Sequence, residues 1–182
     1  MKSPSINISK IDAAKRQLET AIVLYFSNAD LVSIHTLSAA SHEIIQTLCK
    51  PNNVKSAIKD FDSVKPEKKK EYIDLVQGAQ RFFKHANIDA DKLYEFIPDT
   101  TDFLIFDACQ MYQQLTNEIP KLFQIFTIWF FLKEPDIIRD DKQEVKDFTA
   151  KNKNSFDLNN RTNFFQRVSE GYDLLFTKCV NF

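Results

Sequence analysis

Apolar residues return every three or four positions along most of this chain, and no stretch alternates in the two-residue rhythm of a half-buried strand. That period commits the sequence to helices. Ile11, Ala14, Leu18, Ile22 and Tyr25 mark a first helix beginning after Ser9, with Lys15 and Glu19 on its outer face. Asn28 and Asp30 suit the turn that follows. Asp30 or Ser33 can cap a second helix over about 31–50, with Ile34, Leu37, Ile44 and Leu48 facing inward and Pro51 ending it. After a short segment around Val54, Ile58 and Phe61, Pro66 and Glu67 open a long third helix. Its buried stripe is Tyr72, Val76, Ala79, Phe83 and Ala86, and it ends near Asn87.

The stretch "NIDADKLYEFIPDTTD" reads as a loop, and Asp99 or Thr100 caps a fourth helix, "DFLIFDACQMYQQL", that is apolar on nearly all sides. Asn117 and Pro120 separate it from "KLFQIFTIWFFLK", which is apolar all round and is therefore central or covered by a partner. A short helix at about 143–151, a polar loop over 150–161 and a last helix at about 162–178 complete the chain, the last helix facing inward through Phe165, Val168, Tyr172 and Leu175. The expected fold is one all-α domain over residues 1–182, a bundle of six to eight helices with a phenylalanine-rich core and a flexible N-terminus over 1–8. The 17 phenylalanines make that core thick and aromatic.

Composition narrows function mainly by exclusion. Lys and Arg number 24 against 25 Asp and Glu, so the field of the whole molecule does not draw in a polyanion. Leu31 to Cys49 contains no Lys or Arg, so a helix-turn-helix reading of the first two helices fails and DNA is not expected as a partner. Cys49, Cys109 and Cys179 are odd in number and widely spaced, which fits reduced thiols in the cytoplasm and no disulfide framework. The N-terminus lacks a signal-like apolar run, and Leu122–Leu132 is far short of the ~20 residues of a membrane span. The two glycines, Gly78 and Gly171, fall inside expected helices, leaving none for a phosphate-cradling loop, and no cofactor is expected.

A glycine inside a helix costs roughly 1 kcal/mol relative to alanine, and close approach of another group is the usual compensation. Asp74, Gly78, Arg81 and His85 share one face of the third helix, so either a ligand or a neighbouring helix comes near the two cations there. These four are the candidate ligand-binding residues. His35, His42 and Cys49 recur at seven-residue intervals, but seven residues rise ~10.5 Å along a helix, too far for two side chains to share one metal. No metal site is expected. Asp107 interrupts an apolar run and needs a partner if buried; Arg81, His85 and His35 are the natural ones. An encounter of His85 with Asp107 would make an oriented general base, so Arg81, His85, Asp107 and His35 are the catalytic candidates.

The stretch "KRQLETAIVLYFSNADLVSIHTLSAASHEII", with "RFFKHA" downstream, resembles an uncharacterised bacterial family in which such a helical hairpin precedes a phenylalanine-rich helix ending in Lys-His-Ala. The resemblance covers about the first half of the chain and implies a bacterial cytoplasmic protein. A looser likeness is to the HEPN superfamily of helical proteins, many of them ribonuclease toxins with an arginine and a histidine separated by four to six residues. Arg81 and His85 have three residues between them.

The leading expectation is a module that binds a partner or small ligand, dimerising through the Phe123–Leu132 helix because its rings cover more than one face. The alternative is a HEPN-like metal-independent ribonuclease. There His85 would act as acid or base, Arg81 would stabilise phosphate charge, and Asp107 or His35 would orient the imidazole. A third is a helical protein holding a lipid or other apolar ligand among its phenylalanines.

Overall fold

The computed structural model describes residues 5–59, 66–87, 90–138 and 142–172. Phe61, Leu175 and Cys179, the first four residues and the chain beyond Tyr172 lie outside the described residues. Among the described residues there are seven α-helices: α1 (Lys10–Phe26), α2 (Leu31–Cys49), α3 (Pro66–Lys84), α4 (Thr100–Thr116), α5 (Lys121–Lys133), α6 (Gln143–Asn152) and α7 (Arg161–Glu170). Short 3-10 turns at Lys50–Asn52 and Pro135–Ile137 link them, and the described residues contain no strand.

Local chemistry sets most of the boundaries. Ser9 Oγ accepts the Asp12 backbone N–H at 3.1 Å and opens α1, and Asp30 accepts the Ser33 N–H at 2.8 Å to open α2. Asn28, Asn53 and Asn117 hold the left-handed turns that glycine usually supplies, with φ of 53°, 55° and 57°. Asp99 stands at the start of α4 but does not cap it; its carboxylate accepts from Lys133 Nζ at 3.2 Å instead. The third helix stops at Lys84, so Ala86 is exposed rather than buried, and the sixth runs to Asn152, which shortens the polar loop. Gly171 is not in a helix interior: it ends α7, its N–H bonded to the Arg167 carbonyl.

α2 packs against both α1 and α4, while α5 lies on α1, α4, α6 and α7. The inner face of α2 departs from the expected one. Ile34, His35, Ser38, Ala39, Ser41, His42, Ile45 and Cys49 are buried, and Leu37, Ile44 and Leu48 flank them half-buried. Small residues let this face come close to α1, and Ser41 Oγ donates to the Ala14 carbonyl at 2.8 Å across the contact. Bulk on the flanks then seals a seam too tight for leucine.

The aromatic core is built around α5. Trp129 meets Tyr25 edge-on at 5.0 Å, Phe26 stacks on Phe165 at 5.0 Å, and Phe106 stacks on Phe130 at 4.3 Å. Such ring pairs contribute roughly 0.5–1.5 kcal/mol each beyond area burial. On α7 the buried ring is Phe164, with Phe165 half-buried beside it. Phe123, Phe126, Trp129 and Phe130 are all enclosed within the single chain. The apolar girth of α5 thus does not of itself call for a second copy. Among the described residues no helix is long and apolar enough to cross a membrane.

Candidate functional site

Asp107 is 2% exposed and is the polar hub of the α2–α4 contact. Its partner is His42, not Arg81, His85 or His35: His42 Nε2 lies 2.7 Å from Asp107 Oδ2. The same oxygen accepts from Ser56 Oγ at 2.5 Å, and Oδ1 accepts the Ala57 backbone N–H at 2.8 Å. Ser56 Oγ in turn accepts the Lys59 N–H at 2.8 Å. One carboxylate therefore ties residues 56–59, which follow α2, onto α4. Burial lowers the His42 pKa against the raising effect of Asp107, so the imidazole is neutral and donates from Nε2. In a nucleophilic triad the imidazole stands between serine and carboxylate. Here the carboxylate stands between the other two, an order that positions backbone and activates no nucleophile.

His35 is placed elsewhere. Its Nδ1 lies 2.9 Å from Thr101 Oγ1, and its ring packs edge-on against Phe83 and Phe96. Burial, with the charge of Lys59 nearby, brings its pKa down to about 4. It does not orient His85, which is exposed just beyond α3. Arg81 is also exposed and pairs with Asp74 at 2.6 Å across two turns of the same helix. The protein group that approaches Gly78 is not a neighbouring helix but the side chain of Tyr94. A Cβ built there would stand 2.5 Å from the hydroxyl oxygen of Tyr94, whose ring stacks on Phe82 at 5.2 Å. The stripe thus meets Tyr94 at Gly78, while Asp74, Arg81 and His85 are exposed.

A second buried carboxylate was not anticipated from the sequence. Asp102, on α4, accepts from Lys133 Nζ at 2.7 Å at the end of α5. Burial pushes its carboxyl up, with Lys133 and Tyr25 opposing that shift. Arg161 covers the Tyr25 ring with its guanidinium 4.0 Å from the centroid. This cluster closes the end of the aromatic core. Among the described residues no group of three or more His, Cys, Asp and Glu is placed to hold a metal ion.

A concavity runs along the α4–α5 pair. It has a volume of about 710 Å³, within the roughly 300–1,000 Å³ range of small-molecule sites. α4, α5 and α6 supply most of its walls, and Lys55, Ala57 and Ile58 of the segment held by Asp107 supply another. Phe103, Phe106, Phe131 and Phe148 line it half-buried, Phe103 and Phe106 also packing on Phe130 of the core. Gln110, Gln113, Gln114, Gln124 and Thr127 add hydrogen-bonding groups along one side. Gln110 Nε2 reaches Thr127 Oγ1 at 3.4 Å, while Gln124 accepts from the Tyr172 hydroxyl. None of Arg81, His85, His35, Asp74 and Gly78 lines this cleft; Asp107 alone of the candidates does, at the base of the 55–58 wall. No family model, curated protein or solved structure matches this chain.

Proposed function

We propose that the protein is a small-ligand-binding module whose site is the α4–α5 cleft, taking an elongated molecule with an apolar body. The observation that carries this reading is that four half-buried phenylalanines, Phe103, Phe106, Phe131 and Phe148, border one concavity of ligand size. Glutamine amides on the same walls supply donors and acceptors that orient a bound molecule. Asp107 supports the reading indirectly, since its bonds to Ser56 and Ala57 hold one wall in place.

The test is a titration with phenylnaphthylamine, a neutral dye that fluoresces when it leaves water. Saturable binding of one dye per chain is expected. Ala57→Trp and Gln114→Trp place indoles in the cleft from two exposed positions, and each is expected to weaken binding about tenfold. Binding that is absent, or unchanged in both variants, would dismiss the cleft as the site.

A further inference from the structure

Two glutamines on the helices that wall the cleft are held with opposite polarity. Gln110, on α4, donates its Nε2 to Thr127 Oγ1 at 3.4 Å across the helix pair, which leaves Oε1 as its accepting end. Gln124, on α5, accepts the Tyr172 hydroxyl at Oε1, which leaves Nε2 as its donating end. Both residues line the cleft and both are half-buried. Ring contacts fix where they lie along it. Phe106 meets Phe131 with centroids 5.3 Å apart, and about one turn further along each helix Gln110 meets Thr127. Phe103, Phe106 and Phe131 therefore lie towards one end of the cleft, and Gln110, Gln113 and Gln124 towards the turn that joins α4 to α5.

Resting on the cleft as the binding site, we propose that its ligand is an apolar molecule with a secondary carboxamide head, an N-acyl amide by class. The body lies along Phe103, Phe106 and Phe131. The carbonyl of the head accepts from Gln124, and its N–H donates to Gln110. An unrestrained glutamine rotates to suit any head, but each of these two is held by a protein partner, so an ester, which only accepts, gives Gln110 Oε1 nothing to accept. Apolar walls by themselves select the ester, because water holds an amide more strongly. A preference for the amide therefore reports the two glutamines and not the walls.

N-methyloctanamide and methyl octanoate share one skeleton and differ only by N–H against O, and displacement of phenylnaphthylamine from the full chain measures both. The amide is expected to bind about fivefold tighter. Gln110→Met removes the acceptor that only the amide can use and is expected to abolish the preference. Gln124→Met removes the donor that both carbonyls use and is expected to weaken both compounds about fivefold. The preference is a ratio taken within one variant, so a general change in the cleft cancels. Equal or tighter binding of the ester to the unaltered chain, or displacement by neither compound where the dye does bind, overturns the amide assignment and leaves the cleft standing. A preference that survives Gln110→Met, or affinities untouched by Gln124→Met, overturns it too, by placing the head elsewhere. Failure of the dye to bind the unaltered chain is the separate result that removes the cleft reading itself, and the assignment with it.

Discussion

His42 Nε2 and Asp107 Oδ2 lie 2.7 Å apart inside the core, joining the middle of α2 to the middle of α4. Replacing Asp107 removes this bond and also leaves the Ser56 hydroxyl and the Ala57 N–H without their acceptor. Asp107→Ala is therefore expected to cost at least about 3 kcal/mol, and Ser56→Ala about 1.5–3 kcal/mol. Urea unfolding measures both. A loss below about 1 kcal/mol for Asp107→Ala would show that the 56–59 segment is not held by this carboxylate.

Acid is expected to unfold the protein through its histidines. Burial lowers the native pKa of both His35 and His42, His35 from 6.5 to about 4. The unfolded chain thus takes up protons before the native state does. Their contribution is complete above about pH 6.5 and is lost as pH falls towards the native values, which for His35 alone amounts to about 3 kcal/mol. Urea midpoints taken from about pH 7.5 down to about pH 4.5 should fall steeply below pH 6.5. A flat profile across that window would mean that neither imidazole is held neutral.

Gly78→Ala distinguishes a side-chain neighbour from a backbone one. The obstruction is the far end of Tyr94, a residue exposed enough to swing away, and alanine recovers helix propensity. Stability is expected to change by less than about 1 kcal/mol, while the Tyr94 and Phe82 ring resonances shift. A loss of several kcal/mol without movement of those rings would place a rigid group against Gly78 instead. Arg81→Ala, which cuts only the exposed pair with Asp74, is expected to alter stability by less than about 0.5 kcal/mol.

Lys133→Met tests the second buried carboxylate. Asp102 is 2% exposed and its ammonium partner is at 2.7 Å, so the methionine variant leaves a charge buried beside apolar rings. A loss of roughly 3 kcal/mol at neutral pH is expected, shrinking in acid as the Asp102 carboxyl, already pushed up by burial, takes a proton. Thermal unfolding at two pH values reads this directly. A penalty that is the same at both would show that the charge on Asp102 is not what Lys133 balances.

Helix spans, the asparagine and proline turns and the all-α class are legible in the sequence because they depend on neighbours within a few residues. The need of Asp107 for a buried partner is legible for the same reason, since its surroundings on one helix are apolar. The identity of that partner is not. His42 was visible at seven-residue spacing from His35, and only the rotation of α2 against α4 decides which of them meets the carboxylate. Periodicity pointed to Leu37, Ile44 and Leu48 as the inner face, and the close approach of α1 at Ser41 turned the helix towards its small residues.

The site shows the same division. Seventeen phenylalanines announce an aromatic interior, because that much apolar surface must leave water. Which rings border a cleft is decided by inter-helix register and by a loop pinned to a carboxylate fifty residues away. Sequence alone therefore determined the helical class, the approximate helix spans, the Asp30 cap and the aromatic character of what the helices enclose. The tertiary structure alone decided the His42–Asp107 pairing and the opening between α4, α5 and α6, because both depend on how separate helices are rotated and spaced, and a 3.6-residue period carries no information about that.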